Sequence, residues 1–165
     1  MDVYLVRHAI GETRDSTQWP DDSERPLTPE GEARFRKAAR GLGRVAPHVD
    51  VVLASPFVRA WQTAEILELE AGWPVPERAP ELEATRTPAD GLDLLRRHAS
   101  GSVALVGHEP FLSGLASLLL AGDENAVAIE LKKGAVVLLT LSPDIRPASA
   151  FLRWTATPKI LRALA

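Results

Sequence analysis

The 165-residue chain contains no cysteine, which excludes a disulfide scaffold, a zinc-thiolate centre and a thiol nucleophile. It has no excess of positive charge either. Lys and Arg number 19 against 22 Asp and Glu, for a net charge of −3 and a pI near 5.8. No global field is available to draw in nucleic acid. Long apolar runs are missing too: the longest, Leu115 to Ala121, is seven residues and contains Ser117, against the ~20 needed to cross a bilayer. Met1 leads directly into DVYLVRH, without the basic and apolar regions of a targeting segment. The expectation is a soluble, cytoplasmic protein with no nucleic-acid or membrane partner. Hydrophobic residues at 45% and charged residues at 25% match an ordinary globular chain. The length suits one domain over residues 1–165 that buries roughly 70% of its unfolded surface.

Internal repeats and low-complexity tracts are absent, and β-prone runs alternate with helical patterns. Val3 to Val6 reads as a strand that breaks at Arg7-His8, followed by a polar loop from Gly11 to Arg25. Thr28-Pro29 is a cap with proline at the first helical position. Phe35, Ala38, Ala39 and Leu42 then make a helical stripe expected to end near Gly41 or Gly43. Val49 to Ala54 is a second strand, and Ser55-Pro56 repeats the cap-plus-proline start ahead of Phe57, Ala60, Trp61, Ala64 and Leu67. A short strand is expected around Val75, a helix after Thr87-Pro88, a strand at Ser102 to Val106, and a Leu-rich helix from Pro110 to Ala121. Three further β runs, Val127 to Leu131, Ala135 to Leu141 and Phe151 to Thr155, precede a short helix after Thr157-Pro158. This alternation predicts an α/β fold: a three-layer α/β/α sandwich with a mostly parallel sheet and an antiparallel edge.

In such sheets ligands bind beyond the carboxyl ends of the strands. Arg7 and His8 follow the first predicted strand, Ser55 and Arg59 the second, and Gly107 and His108 the one ending at Val106. His48 and His98 fall elsewhere and read as surface residues. Two guanidinium forks aimed at one point match a tetrahedral oxyanion, phosphate above all. Helix N-termini at the same edge add backbone donors. A cationic pocket also lowers a histidine pKa and keeps the ring neutral and nucleophilic. Rival chemistries find little support. His108-Glu109 starts like HExxH, but position 112 is Leu and Pro110 interrupts the helical face. There is no G-x-S-x-G elbow and no P-loop.

LVRHAIGE at Leu5 to Glu12 resembles the Arg-His signature of the histidine phosphatase superfamily, which has a phosphoglycerate mutase-like fold. ERPLTPEG at Glu24 to Gly31, SPFVRAWQTAEI at Ser55 to Ile66 and LVGHEP at Leu105 to Pro110 resemble its next blocks, in order. Ala9, the Arg-Pro-Leu-Thr block and the terminal Trp154, Pro158 and Lys159 are most similar to the SixA-type phosphohistidine phosphatases. The resemblance implies His8 as phosphoryl acceptor, Arg7 and Arg59 as phosphate clamps, and His108 as a further phosphate donor. It places Arg25 near the phosphate, with a loop salt bridge as the alternative, and Glu81 as the best match for a general acid, with Glu83 two residues away. It implies no metal and no cofactor. Three readings follow: a phosphatase for phosphohistidine on a protein, a phosphatase for small esters such as sugar phosphates, and a non-catalytic phosphate-binding module.

Overall fold

The computed structural model describes residues 1–98 and 101–165. Six strands form one sheet in the order β3-β2-β4-β1-β5-β6. Four of them, β1 (Asp2–Arg7), β2 (Val51–Ala54), β3 (Glu77–Arg78) and β4 (Ser102–Gly107), are parallel. The edge is antiparallel: β5 (Val136–Leu141) pairs with β1, and β6 (Ala150–Ala156) pairs with β5.

Alternation along the central strands sends side chains to two faces. Tyr4 and Val6 of β1, with Ala104 and Val106 of β4, pack under α1 (Pro29–Val45), α2 (Val58–Ala71) and α5 (Pro158–Ala163). Val3 and Leu5, with Val103 and Leu105, pack under α3 (Pro88–Arg97) and α4 (Phe111–Ala121). The predicted three-layer sandwich is therefore present. Truncating one of its central side chains, Leu105 for example, costs about 2–5 kcal/mol. The threonine starts also hold: Thr28 accepts the Gly31 N–H at 2.9 Å, Thr87 forms a capping box with Asp90, and Thr157 caps α5. No helix among the described residues is long and apolar enough to cross a membrane.

Several expectations need correction. Helix α1 does not stop at Gly41 or Gly43 but runs to Val45. A Cβ at Gly41 would lie 1.9 Å from the Leu161 carbonyl oxygen, so this glycine admits α5 rather than ending a helix. Ser55-Pro56 does not open α2, which starts at Val58 with Phe57 as its cap; the Ser55 hydroxyl is used elsewhere. The third strand lies at Glu77–Arg78, while Val75 is exposed. Val127 to Leu131 is not a strand. Its alternation is real, since Ile129 and Leu131 lean on the core below α4. Its backbone, however, is met by side chains: the Val127 N–H donates to the Ser117 hydroxyl, and the Leu131 carbonyl accepts from Arg7. The antiparallel edge is built instead by β5 and β6.

Candidate active site

The carboxyl ends of β1, β2 and β4 bring the predicted residues together. Arg7 ends β1 and His8 follows it, His108 follows β4, and Arg59 lies in the first turn of α2. All four line one cavity of about 490 Å³, together with Arg25, Lys133, Asp22 and Phe57. His8 is held through its backbone from two sides: its N–H donates to the Gly107 carbonyl at 2.9 Å, and its carbonyl accepts the Gly134 N–H at 3.0 Å. Next to it, the Ala9 N–H donates to Thr63 Oγ1 at 3.0 Å, and that hydroxyl donates to the Arg59 carbonyl. The β1 end, the 132–134 turn and α2 are thereby locked in register around one ring.

Nδ1 of His8 lies 2.7 Å from the Ala9 carbonyl oxygen. A carbonyl only accepts, so Nδ1 carries the ring proton and Nε2 keeps its lone pair. Burial, followed by the charges of Arg59, Arg7 and Lys133, lowers the His8 pKa to about 3, against a partial restraint from the Ala9 hydrogen bond. The ring is neutral at pH 7, as expected, but desolvation outranks the neighbouring charges as the cause.

His108 packs against His8 with ring centroids 5.1 Å apart, and against the Phe57 ring at 5.0 Å. Its Nε2 meets the Ser55 hydroxyl at 3.0 Å. That oxygen also accepts the Phe57 N–H at 3.3 Å. With the Ser55 hydroxyl donating to Nε2, the ring proton of His108 sits on Nδ1. Burial, then the charge that His8 takes on when protonated and the charge of Arg59, lowers the His108 pKa to about 2.

Among the described residues, four buried side-chain nitrogens have no partner in the chain, and three belong here: Nε of Arg7, Nε of Arg59 and Nδ1 of His108. Buried donors are rarely left unmatched, so these three are disposed to meet an acceptor from outside the chain. Several other donors are engaged within the chain. Arg7 Nη1 binds the Leu131 carbonyl at 2.6 Å. Arg59 binds Asp22 through the carbonyl at 2.7 Å and Oδ2 at 2.9 Å. Arg25 binds Asp22 Oδ1 at 2.9 Å and the Glu12 carbonyl at 2.7 Å. Burial opposes the charge on Asp22, but the Arg25 hydrogen bond and the Arg59 and Arg25 charges outweigh it and hold the acid below its ordinary range.

Glu81 lies apart from this group. It sits in a one-turn 3-10 helix, Pro80–Leu82, ion-pairs with Arg97, and does not line the cavity. Glu83 does not line it either, and that segment contributes only Ala84 and Thr85. The predicted surface histidines are peripheral: His48 pairs with Asp50 at 2.9 Å, and His98 caps α3. Sequence reasoning missed Lys133, Asp22, Ser55 in its role toward His108, and Phe57. Lys133 lies in a turn that no strand-end rule singles out. Burial and repulsion from Arg7, Arg25 and Arg59 lower its pKa, which marks how closely it joins the cationic cluster. Among the described residues no group of three or more His, Asp and Glu side chains is arranged to hold a metal ion.

This cavity can take a tetrahedral oxyanion and present it with a neutral imidazole nitrogen. Residues 3–86 match the model of the histidine phosphatase superfamily (branch 1), and the chain belongs to that superfamily. An uncharacterized protein of Picosynechococcus sp. is 32% identical over 140 residues, covering 83% of each chain. The protein histidine phosphatase SixA, solved with tungstate, superposes with a TM-score of 0.83 at 26% identity, over 96% of this chain and 98% of SixA. A mycobacterial glucosyl-3-phosphoglycerate phosphatase, solved with VO3, shares the fold at 15% identity, with a TM-score of 0.73 over 94% of this chain and 99% of its own. Superfamily membership and a SixA-type fold define a phosphatase.

Proposed function

We propose that the protein hydrolyses phosphohistidine on a partner protein through a phosphoenzyme at His8. The observation that carries this reading is the free Nε2 of a buried, neutral His8, set in a cavity with five cations. Nε2 attacks phosphorus in line, forming a P–N bond as the bond to the substrate imidazole breaks. The Nε–H groups of Arg7 and Arg59 and the Nδ1–H of His108 take the equatorial oxygens, and charge on them is neutralised without a metal. Arg25 and Lys133 add positive potential around them. Water then attacks phospho-His8, the P–N bond breaks, and inorganic phosphate and neutral His8 are released. That SixA, which shares this fold, was solved with tungstate supports an oxyanion-binding function.

The leaving group supports a phosphoramidate over an alkyl ester. An alkoxide needs a proton in the transition state, and the carboxylates that line the cavity are engaged. Asp22 is ionised by two arginines, Asp21 accepts the Ser23 N–H, and Glu109 accepts the Ser113 N–H. An imidazole leaves far more readily and takes its proton from solvent, which this open cavity admits. The test assays a phosphohistidine-bearing protein beside a panel of small phosphate esters, sugar phosphates included. The highest kcat/KM is expected on the phosphoprotein. A sugar phosphate turned over faster would move the function to small esters, and absence of phosphate release even from an aryl phosphate would make the protein a binding module.

A further inference from the structure

A second concavity, about 530 Å³ in volume, opens beside the catalytic cavity and shares Arg7 and Lys133 with it. Its floor is apolar, formed by Ala9, Ile10, Phe35 and Pro158. Arg34 of α1, Lys132 of the turn, and Lys159 and Arg162 of α5 line it as well, and no carboxylate does. Three of the four lysines in the chain lie here, in a protein whose net charge is −3. Arg34 pairs with Glu30, and Lys132 stands 4.0 Å from Glu130. Among the described residues Lys133, Lys159 and Arg162 have no ion pair.

The chemistry of this groove differs from that of the catalytic cavity. There, donors converge on one point. Here the cations other than the shared Arg7 stand on three separate elements around an apolar floor, a layout that suits spaced carboxylates with an apolar side chain between them. A small phosphate ester is accommodated within the catalytic cavity and leaves the groove without a role. An acidic partner meets a net charge of −3 on the chain as a whole and cations at this face, so the groove also favours one direction of approach.

We propose that the groove docks an acidic segment of the phosphorylated protein substrate, adjoining the residue whose phosphoryl group enters the catalytic cavity. This rests on the phosphoprotein reading above. Carboxylates of the segment pair with Lys132, Lys159 and Arg162, and an apolar side chain lies on Phe35 and Pro158.

The experiment compares wild type with the triple variant Lys132→Ala, Lys159→Ala, Arg162→Ala, none of which belongs to the catalytic cavity. Two phosphohistidine peptides serve as substrates, one flanked by Asp and Glu and one by Ser and Gly, with p-nitrophenyl phosphate as the control. Wild type is expected to favour the acidic peptide in kcat/KM by on the order of tenfold to a hundredfold at low salt, the yield of three exposed ion pairs. The preference shrinks as salt screens it and disappears in the triple variant, while p-nitrophenyl phosphate turnover stays unchanged. Equal rates on the two peptides in wild type, or a preference that survives in the variant, would overturn the proposal. A preference for bisphosphate over monophosphate esters that vanishes in the variant, without peptide discrimination, would assign the groove to small polyanions and also overturn it. If wild type cleaves p-nitrophenyl phosphate but neither peptide, the phosphoprotein reading fails on its own account. Calorimetry with the unphosphorylated acidic peptide then decides the groove: binding lost in the triple variant supports docking, and no binding to wild type refutes it.

Discussion

Acidification tests the buried neutral histidines directly. In the folded chain His8 and His108 hold pKa values of about 3 and about 2, whereas an unfolded chain returns each ring to about 6.5. Above 6.5 neither state binds the proton, and the contribution to stability is constant. Below it the unfolded chain takes up one proton per ring while the folded chain takes none until its own low pKa is reached. Stability therefore falls with falling pH across that window. At about pH 5 the difference is about 1.5 pH units, or about 2 kcal/mol per ring and about 4 kcal/mol for the pair. That is a large share of a total typically ~5–15 kcal/mol. The lowered carboxyl groups Asp22, Asp50, Asp90 and Glu70 act with the same sign, but their loss begins near the ordinary carboxyl value of about 4. The assay is urea unfolding followed by the fluorescence of the four tryptophans, in phosphate-free buffers at about pH 7.5 and about pH 5. The double variant His8→Gln, His108→Gln serves as reference, whatever its absolute stability. Wild type should lose about 4 kcal/mol more than the variant over this interval. Equal losses in the two proteins would refute the claim that these rings are buried without charge.

Four further outcomes are expected. His8→Ala should fold and lose turnover almost completely, and rapid quench of wild type should trap an acid-labile, base-stable phosphoenzyme at His8; full activity in the variant would end the covalent mechanism. Arg59→Ala should lower kcat/KM on an aryl phosphate by ~10²–10³, as expected for removing one oxyanion donor, and a loss below threefold would remove Arg59 from the transition state. Glu81→Gln should leave the turnover of phosphohistidine and ester substrates unchanged and cost at most about 1 kcal/mol of stability, the value of a half-exposed ion pair; a large, selective loss on alkyl phosphates would reinstate it as an acid. Chelation with EDTA should leave phosphate release intact, and activity that dies and returns with a divalent ion would mean that charge on the phosphoryl group is not neutralised by the arginines alone.

Much of the fold was legible because its signals are local. The threonine caps at 28, 87 and 157 act within one helical turn, and the buried central strands are short apolar runs. What was misread depended on partners far along the chain. Gly41 carries the ordinary mark of a helix end, yet it faces Leu161, 120 positions later. Alternation at Val127 to Leu131 reports which side chains turn inward. It says nothing about whether the backbone has a neighbouring strand, and here Arg7 and Ser117 satisfy two of its polar groups instead.

The site divides along the same line. Arg7, His8, Arg59 and His108 were readable because strand ends are few and a parallel sheet gathers them on one edge. A general acid has no such address, since it reaches the phosphoryl group from a loop whose course depends on its own contacts. Glu81 illustrates this. Arg97 on α3 draws its carboxylate away, and the loop turns Ala84 and Thr85 to the cavity in its place. Lys133 shows the converse, a cation from an unremarkable turn delivered to the cavity because the Gly134 N–H bonds to the carbonyls of Arg7 and His8. The same hydrogen bonds set Lys132 beside the neighbouring groove. One turn thus ties the cations of the cavity to those of the neighbouring groove, and moving it would disturb both.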